Sequence, residues 1–372
     1  MPAKGDGITR RKDGRYMARY TVHTPGGPKR KTIYGTKYKE VEQKLAEARG
    51  DAARGIVYDA GAVTVEEWLT TWLEDSVKGN VGPGTYHQYG IHVRHHIIPT
   101  LGRVKLARLT AAHIQSLYAS KLRDGLAPAT VRLTHAVMHR ALDQAVRFNL
   151  ISSNPAKRVD PPKIQQDEIT LLDSEQARVL LDAGKGDRLE ALYVLSLTVG
   201  LRIGEALGLK WSDIDLDTGT LRVNRQLQRY TGMGLVFCEP KHGSRRTVDL
   251  PQRAVEALRS HRKRQVEEQL RAGARWADNG LVFPSGHGTP LDARNVANKH
   301  FKPVLKRAGL PDIRFHDLRH TCATLLLGRG VHPKYVQHLL GHKSIKLTLD
   351  RYSQWIPSMG RATADGMDEA LG

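Results

Sequence analysis

The chain has 372 residues, of which 40% are hydrophobic and 26% are charged, a composition typical of a folded globular protein and not of a disordered one. Lysine and arginine outnumber aspartate and glutamate by 58 to 38, which gives a formal net charge of +20. Because the excess is spread along the chain, it favours a polyanionic partner, nucleic acid first, over a neutral enzyme with one basic tail.

The sequence also indicates where the protein works. Its two cysteines, Cys238 and Cys322, are far apart and favour a reducing compartment over a disulfide framework. No apolar N-terminal segment resembles a signal peptide. The most apolar stretch, residues 189–201, is too short to cross a bilayer. We therefore expect a cytoplasmic, nucleoid-associated protein that does not contact a membrane.

The first segment predicts a small sheet backed by one helix. Residues 15–22 alternate between two faces, as a half-buried strand does, and a Pro/Gly turn over 24–28 leads to a second strand at 30–34. A helix follows over about residues 38–54, where apolar residues recur at helical spacing. We assign this basic unit to residues 1–57.

A helical bundle is predicted next, over residues 63–160. Thr64 followed by Glu67 matches a capping box at a helix start. Further helices fit residues 83–97, 110–123 and 128–147. The prolines near residues 155 and 161 predict a stiff, extended connection that continues as an interdomain linker to residue 170.

A third unit is predicted over residues 170–357. Its pattern is mainly helical, with short strands near 220–223, 235–238 and 246–250. Glycines at 200, 204 and 208 are not followed by the Lys-Ser or Lys-Thr of a nucleotide-binding loop, so close packing explains them better. Residues 358–372 form a C-terminal tail. The sequence thus predicts a multidomain, mainly α protein with small β elements.

Two arginines of this third unit suggest a site for phosphate chemistry. Arg202 and Glu205 lie three apart, which would place them on one face of a helix, and His316 and Arg319 repeat the spacing. Two guanidinium groups directed at one phosphodiester can donate up to four hydrogen bonds and offset the charge of a pentacoordinate transition state. Such a site does not need a metal.

Tyr352 is the candidate nucleophile. A tyrosine hydroxyl has an unperturbed pKa of about 10, so it needs nearby positive charge or a base, which the histidine and the two arginines can supply. Lys241, on a turn between two strands, can protonate the departing oxygen. His342, predicted to begin a helix after Gly341, can hydrogen-bond the phosphate.

Taken singly, these residues have ordinary explanations. An arginine with a glutamate three residues later is usually a surface ion pair, and a tyrosine on an amphipathic helix usually packs in a core or an interface. Lys241, beside Arg245 and Arg246, is equally compatible with a loop that only positions phosphate.

Histidine spacing raises the alternative of a zinc site. His316 and His320 stand four apart, as do His338 and His342, which is the spacing of metal-binding pairs on helices. The first pair encloses no glutamate that could act as the base of a zinc hydrolase, and Arg319 would repel the ion. We therefore expect neither a metal nor a cofactor.

The order of these residues resembles the tyrosine recombinase family, specifically the phage-type integrases, across residues 170–357. The ordered set is Arg202, Lys241, His316, Arg319, His342 and Tyr352. Residues 198–211 resemble the family's first-arginine helix, and residues 240–248 resemble its β-hairpin with the lysine. Gln354 departs from the pattern, since many relatives have histidine there.

The resemblance implies a role for each residue. Arg202 and Arg319 would clamp the scissile phosphate, Tyr352 would attack it, and Lys241 would protonate the leaving 5′-oxygen. His316 would assist proton transfer from the tyrosine with Glu205 as its partner, and His342 would hold a phosphate oxygen. A 3′-phosphotyrosyl intermediate would form without ATP or metal, and four protomers would act on two duplexes through a Holliday junction.

Outside the catalytic unit the resemblance is weaker. Residues 63–160 look like the SAM-like core-binding domain, and residues 1–57 look like a three-stranded arm-binding domain whose sheet enters the major groove. The side chains expected at DNA are Arg19, Lys29 and Arg30 in the first segment, together with Arg245 and Arg246 in the catalytic unit.

The implied partner is double-stranded DNA with attachment sites of core type, and of arm type if the first unit acts as this resemblance suggests. A host DNA-bending factor and an excision factor are candidate partners. The predicted function is site-specific recombination that integrates or excises a phage or mobile element. A resolvase, a type IB topoisomerase, and a catalytically silent architectural DNA-binding protein remain as alternatives.

Overall fold

The protein is described by a computed structural model over residues 7–24, 27–53, 63–164 and 169–353. It divides into two compact units, residues 1–166 and 167–372. No helix in these ranges is both long enough and apolar enough to cross a membrane.

The strands are β1 (Ile8–Arg10), β2 (Tyr16–Thr24), β3 (Gly27–Gly35), β4 (Ile214–Asp215), β5 (Thr220–Val223), β6 (Gln226–Tyr230), β7 (Gly234–Cys238) and β8 (Arg246–Asp249). The helices are α1 (Tyr38–Ala53), α2 (Val65–Thr71), α3 (Pro83–Ile91), α4 (Ile98–Leu101), α5 (Ala111–Arg123), α6 (Pro128–Arg147), α7 (Ser174–Ala183), α8 (Glu190–Thr198), α9 (Ile203–Leu207), α10 (Gln252–Ala272), α11 (Ala293–Asn295), α12 (Lys302–Arg307), α13 (Asp317–Gly328), α14 (Pro333–Leu340) and α15 (Ile345–Tyr352).

The first unit begins with an antiparallel sheet in the order β1-β2-β3. Ala18 is paired with Ile33, and the face that carries Ala18 and Tyr20 packs on Val41 and Leu45 of α1. The predicted hairpin and helix are confirmed. The pattern did not reveal β1, because a strand of three residues is too short to show an alternation.

The helical part of the first unit has its own apolar core. Thr64 and Glu67 form the predicted capping box: the hydroxyl of Thr64 accepts the backbone N–H of Glu67 at 3.2 Å, and the carboxylate of Glu67 accepts that of Thr64 at 2.7 Å. α2 continues through residue 77, and α3 continues through residue 97, each with one stretch of wider, π-type turns.

The predicted extended connection after the bundle is wrong for residues 155–158. These residues form a 3-10 turn, Pro155–Arg158, whose Ala156 is buried in the bundle core. The side-chain oxygen of Asn154 accepts the N–H of Ala156 at 2.9 Å, while its amide donates to the carboxylate of Asp143 at 2.9 Å. Asn154 therefore fastens this segment to α6, and residues 160–164 after it have neither helix nor strand structure.

The second unit is built around α8. Residues 191–197 are all buried, so the apolar stretch noted in the sequence is a core helix, packed against α10 and α13. Two small antiparallel sheets, β4-β5-β8 and β6-β7, lie beside the helices. The three predicted strands of this unit are confirmed. β4 and β6 were missed, since β4 has two residues and β6 (Gln-Leu-Gln-Arg-Tyr) is mostly polar.

Gly200 carries a strong steric constraint. Its φ is +65°, and a Cβ atom there would lie 2.6 Å from Cδ2 of Leu340 and 3.3 Å from Sγ of Cys322. Gly309 has the same φ of +65°, but a Cβ atom would meet nothing within 4 Å. The two glycines therefore share a backbone conformation and differ in the space around them.

This pair gives a test of packing beside α13 and α14. Gly309→Ala should lower the free energy of unfolding by about 1–2 kcal/mol, the cost of a left-handed conformation for a residue with Cβ. Gly200→Ala should lower the free energy of unfolding by about 1–3 kcal/mol more than Gly309→Ala does, because its Cβ atom also overpacks the site. Urea denaturation of the full chain measures both, and equal losses would contradict the close contact with Leu340.

Candidate active site

Tyr352 is the last residue of α15 and lies in the interior, with 1% of its surface exposed. Its ring packs with Ala323, Val336 and Leu340. Its hydroxyl forms a hydrogen bond with Nδ1 of His320. Burial raises the pKa of Tyr352 to about 12, although the charges of Arg319 and Arg351 oppose the shift. The phenol is therefore protonated at neutral pH.

Arg319 lies in the first turn of α13 and is 2% exposed. Its guanidinium donates to the carbonyl oxygen of Gly200 at 2.7 Å and to that of Leu340. Desolvation, followed by the charge of Arg202, lowers the pKa of Arg319 to about 9. The side chain is still a cation at pH 7, and it lies near a second cation.

Arg202 precedes α9 as its N-cap, so it does not share a helix face with Glu205 as the spacing predicted. Instead, the side chain of Glu205 reaches back to Arg202 and caps the start of the helix. The carboxylate of Glu205 accepts the backbone N–H of Arg202 at 3.1 Å and its Nη1 at 2.6 Å. Nη2 of Arg202 donates to the carbonyl oxygen of Gly341 at 3.3 Å.

Arg246 is buried, contrary to its expected place on a DNA-facing surface. Its Nη2 lies 2.9 Å from the carboxylate of Glu205, and its Nε donates to the carbonyl oxygen of Leu339 at 2.8 Å. Burial alone would raise the pKa of Glu205, but the hydrogen bonds and charge of Arg246 outweigh it, so the pKa is lowered and the carboxylate is ionised. Its neighbour Arg245 is exposed and pairs with Glu239 at 2.6 Å.

The three arginines share one anchor, the C-terminal end of α14. The carbonyl oxygens of Leu339, Leu340 and Gly341 accept hydrogen bonds from Arg246, Arg319 and Arg202 respectively. The last carbonyls of a helix have no partner within the helix and carry its partial negative charge, so cations are stabilised there. Gly341 has φ +63°, the left-handed conformation that ends the helix.

His320, to which the sequence assigned no catalytic role, is the observed partner of the tyrosine. It is 3% exposed, and its ring lies edge-on to that of His316 with centroids 5.0 Å apart. The four-residue spacing of His316 and His320 is the available sequence signal, but it suggests only a metal pair, an alternative that the absence of a glutamate between them and the charge of Arg319 disfavour. Only the packing of α15 against α13 shows that His320 contacts Tyr352. Among the described residues, no three His, Cys, Asp or Glu side chains converge on a possible metal site.

His316 is the N-cap residue of α13 and is exposed. Its pKa is lowered by desolvation and then by the charge of Arg319. The expected pairing of His316 with Glu205 is not what the structure shows, because the carboxylate of Glu205 is occupied by Arg202 and Arg246.

His342 lies between two helices and does not begin one, since α14 ends at Leu340 with Gly341 as its C-cap, and the N-cap of α15 is Ser344. Its Nδ1 is 2.8 Å from the hydroxyl of Thr348. Its ring is stacked on that of Tyr352, with centroids 6.4 Å apart and 8° between the planes. Desolvation, followed by Arg319 and Arg202, lowers the pKa of His342 to about 3. The imidazole is therefore neutral.

Lys241 lies in the short turn Lys241–Gly243 and is exposed. This turn is not the tip of a hairpin, because β7 before it pairs with β6 and β8 after it pairs with β5. Within the described residues, no hydrogen bond or ion pair joins Lys241 to the arginine cluster. Arg246, five residues later, connects the start of β8 to that cluster.

The other expected DNA contacts lie in the first unit. Arg19 and Arg30 are exposed on the sheet. In the β2–β3 register Arg19 is opposite Thr32 and Thr21 is opposite Arg30, so both arginines belong to the face away from α1. The side chain of Lys29, Gln354 and the tail at 358–372 lie outside the described residues.

The cluster around Tyr352 has a net positive charge. Three guanidinium groups, those of Arg202, Arg246 and Arg319, face one carboxylate. Its accessible side is formed by exposed His316 and by partly exposed Arg202 and His342. This arrangement can bind a phosphate anion next to a phenol that has not yet lost its proton.

Comparison with known proteins agrees with this chemistry. Residues 170–356 match the phage integrase family, and residues 64–122 match the phage integrase N-terminal SAM-like domain. A tyrosine recombinase XerC-like protein of Caldanaerobacter subterraneus subsp. tengcongensis is 34% identical over 347 residues, which cover 88% of each chain.

Solved structures show the same fold. The Tn1549 transposon integrase in complex with a circular intermediate DNA aligns with a TM-score of 0.70 at 23% identity, over 84% of this chain and 100% of that one. A lambda integrase dimer bound to a core site aligns with a TM-score of 0.57 at 20% identity, over 96% of each chain. On the family match across the catalytic unit and the identity to the XerC-like relative, this chain belongs to the phage integrase family and is a tyrosine site-specific recombinase.

Proposed function

We propose that this recombinase integrates or excises a phage or mobile element by cutting and rejoining DNA through a 3′-phosphotyrosyl link to Tyr352. The observation that carries the residue assignment is the position of the Tyr352 hydroxyl, buried within the cluster that contains Arg319 and His320. A phosphodiester drawn to this charge would approach from the side of His316 and Arg202.

In this proposal Arg202 and Arg319 clamp the scissile phosphate. Each guanidinium has five N–H donors, and the backbone acceptors described above use only some of them. The remaining donors can bind the non-bridging oxygens and stabilise the charge that develops on them during attack. Because the carbonyls and Glu205 already hold both groups, little reorganisation is needed when DNA arrives.

Two further residues act on oxygens of the phosphate. In this role His342 has its ring proton on Nε2, which donates to a non-bridging oxygen, while its Nδ1 accepts the hydroxyl hydrogen of Thr348, 2.8 Å away. Lys241, exposed on its turn, protonates the 5′-oxygen as it leaves. His316, on the accessible side, assists the proton transfers. The phosphotyrosyl ester conserves the energy of the broken bond, so rejoining needs no ATP.

The partner in this proposal is double-stranded DNA, bound at attachment sites by a homotetramer. A lambda integrase tetramer has been solved on a Holliday junction, and it shares the fold of this chain with a TM-score of 0.59. Arg19 and Arg30, exposed on one sheet face, support an arm-type contact by the first unit. Lys29 belongs to the same proposal, as do a host DNA-bending factor and an excision factor.

Tyr352→Phe should abolish a covalent protein–DNA adduct and leave duplex affinity nearly unchanged, because only the attacking oxygen is removed. The substrate is a nicked duplex carrying the attachment site, taken from the DNA that flanks the coding gene. Denaturing gel electrophoresis detects the adduct. Tyr335→Phe is the matched control, since Tyr335 is 73% exposed on α14. An adduct that persists without the Tyr352 hydroxyl would refute the assignment.

Arg246→Ala should lower the free energy of unfolding by about 3–5 kcal/mol, because the buried carboxylate of Glu205 loses one of its two counter-charges. Cleavage should fall as well, since Glu205 also orients Arg202. Arg245→Ala is the control next to it, and its exposed pair with Glu239 is worth about 1 kcal/mol at most. Denaturant titration and adduct formation report the two effects. Equal stability losses in both variants would be inconsistent with the buried pairing.

DNA binding should weaken steeply as salt is raised. If about six phosphates are neutralised, affinity falls roughly 10³-fold between 50 and 200 mM salt. Arg19→Ala should reduce the slope of log affinity against log salt by about one if this exposed arginine holds a phosphate. Fluorescence anisotropy with a labelled duplex measures both slopes. A flat salt response would contradict the electrostatic origin of binding.

A further inference from the structure

We propose that His320 is a further catalytic residue, whose Nδ1 takes the proton of the Tyr352 hydroxyl as the phenolic oxygen attacks phosphorus. The inference rests on the proposed function, since it requires Tyr352 to be the nucleophile. It assigns the proton acceptor to the second histidine of the α13 pair, where the sequence pattern pointed to the first.

The geometry places this base at the reacting atom. Nδ1 of His320 is hydrogen-bonded to the hydroxyl of Tyr352, and the two ring centroids are 5.6 Å apart. The residues are 3% and 1% exposed respectively, so water has little access to compete for the phenolic proton. His320 also follows Arg319 directly on α13, which fixes the base and the phosphate-binding cation on one short rigid element.

His316 is less well placed for this step. Its ring lies edge-on to His320, with centroids 5.0 Å apart, and it is on the exposed side of the cluster. The phenol is hydrogen-bonded to His320. His316 is therefore positioned to contact the incoming DNA or solvent, while His320 contacts the nucleophile.

The protonation states agree with a proton moving from Tyr352 to His320. Desolvation, followed by the charges of His316 and Arg351, lowers the pKa of His320 to about 4, so the ring is neutral and has a lone pair. With its proton on Nε2, Nδ1 accepts the phenolic O–H. The pKa of Tyr352 is raised to about 12, so the phenol does not ionise unaided. Transfer accompanies attack, because the phenolic oxygen becomes acidic only as it bonds to phosphorus.

Binding of DNA favours the same transfer. Arg351 and Arg319 both lower the pKa of His320, and a phosphate anion next to Arg319 offsets part of that effect. The base is therefore weak in the free protein and becomes stronger when the substrate is present.

The step balances in protons and bonds. The O–H bond of Tyr352 breaks and its proton goes to Nδ1, while an oxygen lone pair forms the new O–P bond. The P–O5′ bond breaks, and the leaving oxygen takes the proton of Lys241. In the rejoining step a 5′-hydroxyl attacks, its proton passes to Lys241, and His320 returns its own proton to the departing tyrosine oxygen.

His320→Asn tests the inference. The Asn amide oxygen can accept the phenolic hydrogen bond but cannot take the proton, so orientation is kept and the base is lost. Single-turnover cleavage of the nicked duplex should slow by about 10²-fold or more, with DNA affinity and melting temperature unchanged. His338→Asn, the same change at an exposed position of α14, should cleave at the wild-type rate. A His320→Asn rate equal to or above wild type would overturn the assignment.

A DNA substrate with sulfur in place of the bridging 5′-oxygen separates the proton transfer from Tyr352 to His320 from that of Lys241 to the leaving group. The thiolate that leaves does not need a proton, so the role of Lys241 is bypassed. Lys241→Ala should regain cleavage on this substrate and His320→Asn should not. Rescue of His320→Asn would place the histidine on the leaving-group side and refute the proposal.

The wild-type protein supplies a test that does not depend on folding of a variant. On the sulfur substrate, cleavage should still be slower in D₂O, since the phenolic proton is transferred during attack. Equal rates in H₂O and D₂O would overturn the role of His320. If wild type forms no adduct on either substrate while binding DNA, the proposed function fails, and this outcome is distinct from failure of the histidine assignment alone.

Discussion

The proposed catalytic centre depends on the C-terminal end of α14. Three consecutive carbonyl oxygens, of residues 339–341, lack partners within the helix, and each accepts a guanidinium group that comes from a different part of the chain. These groups belong to Arg202 before α9, Arg246 on β8 and Arg319 on α13. One helix end thus brings together segments separated by more than a hundred residues in the sequence.

Three cations so close together would repel one another without a negative charge among them. Glu205, fully buried, supplies it: its carboxylate binds both Arg202 and Arg246 and remains ionised because of them. Arg319 donates to two backbone carbonyls, and within the described ranges no carboxylate forms an ion pair with it. The cluster is therefore stable while keeping an unbalanced positive charge, which is the property that an anionic substrate requires.

Tyr352, the proposed nucleophile, lies in the same region, where burial and nearby charge shift its pKa in opposite directions. Tyr352 packs in an apolar cluster that raises its pKa, while the nearby arginines lower it. Desolvation of His320 and His342 keeps both rings neutral, so they add no further positive charge and retain lone pairs as acceptors. In the proposed mechanism, this buried phenol beside a neutral imidazole begins its chemistry only when a phosphate is bound.

Much of this protein was predictable from residue order. The hairpin of the first unit, the capping box at Thr64 and the longer helices follow from local periodicity and turn chemistry, and the ordered polar residues indicated the recombinase family before any fold was known. Tertiary structure alone decided that Arg246 is a buried counter-ion while Arg245 is exposed, because the side chains are identical and only folding brings Glu205 and the carbonyl oxygen of Leu339 to Arg246. It also decided that His320 is the partner of Tyr352, since that contact joins residues 32 positions apart on two helices, and no spacing within either helix encodes how they pack.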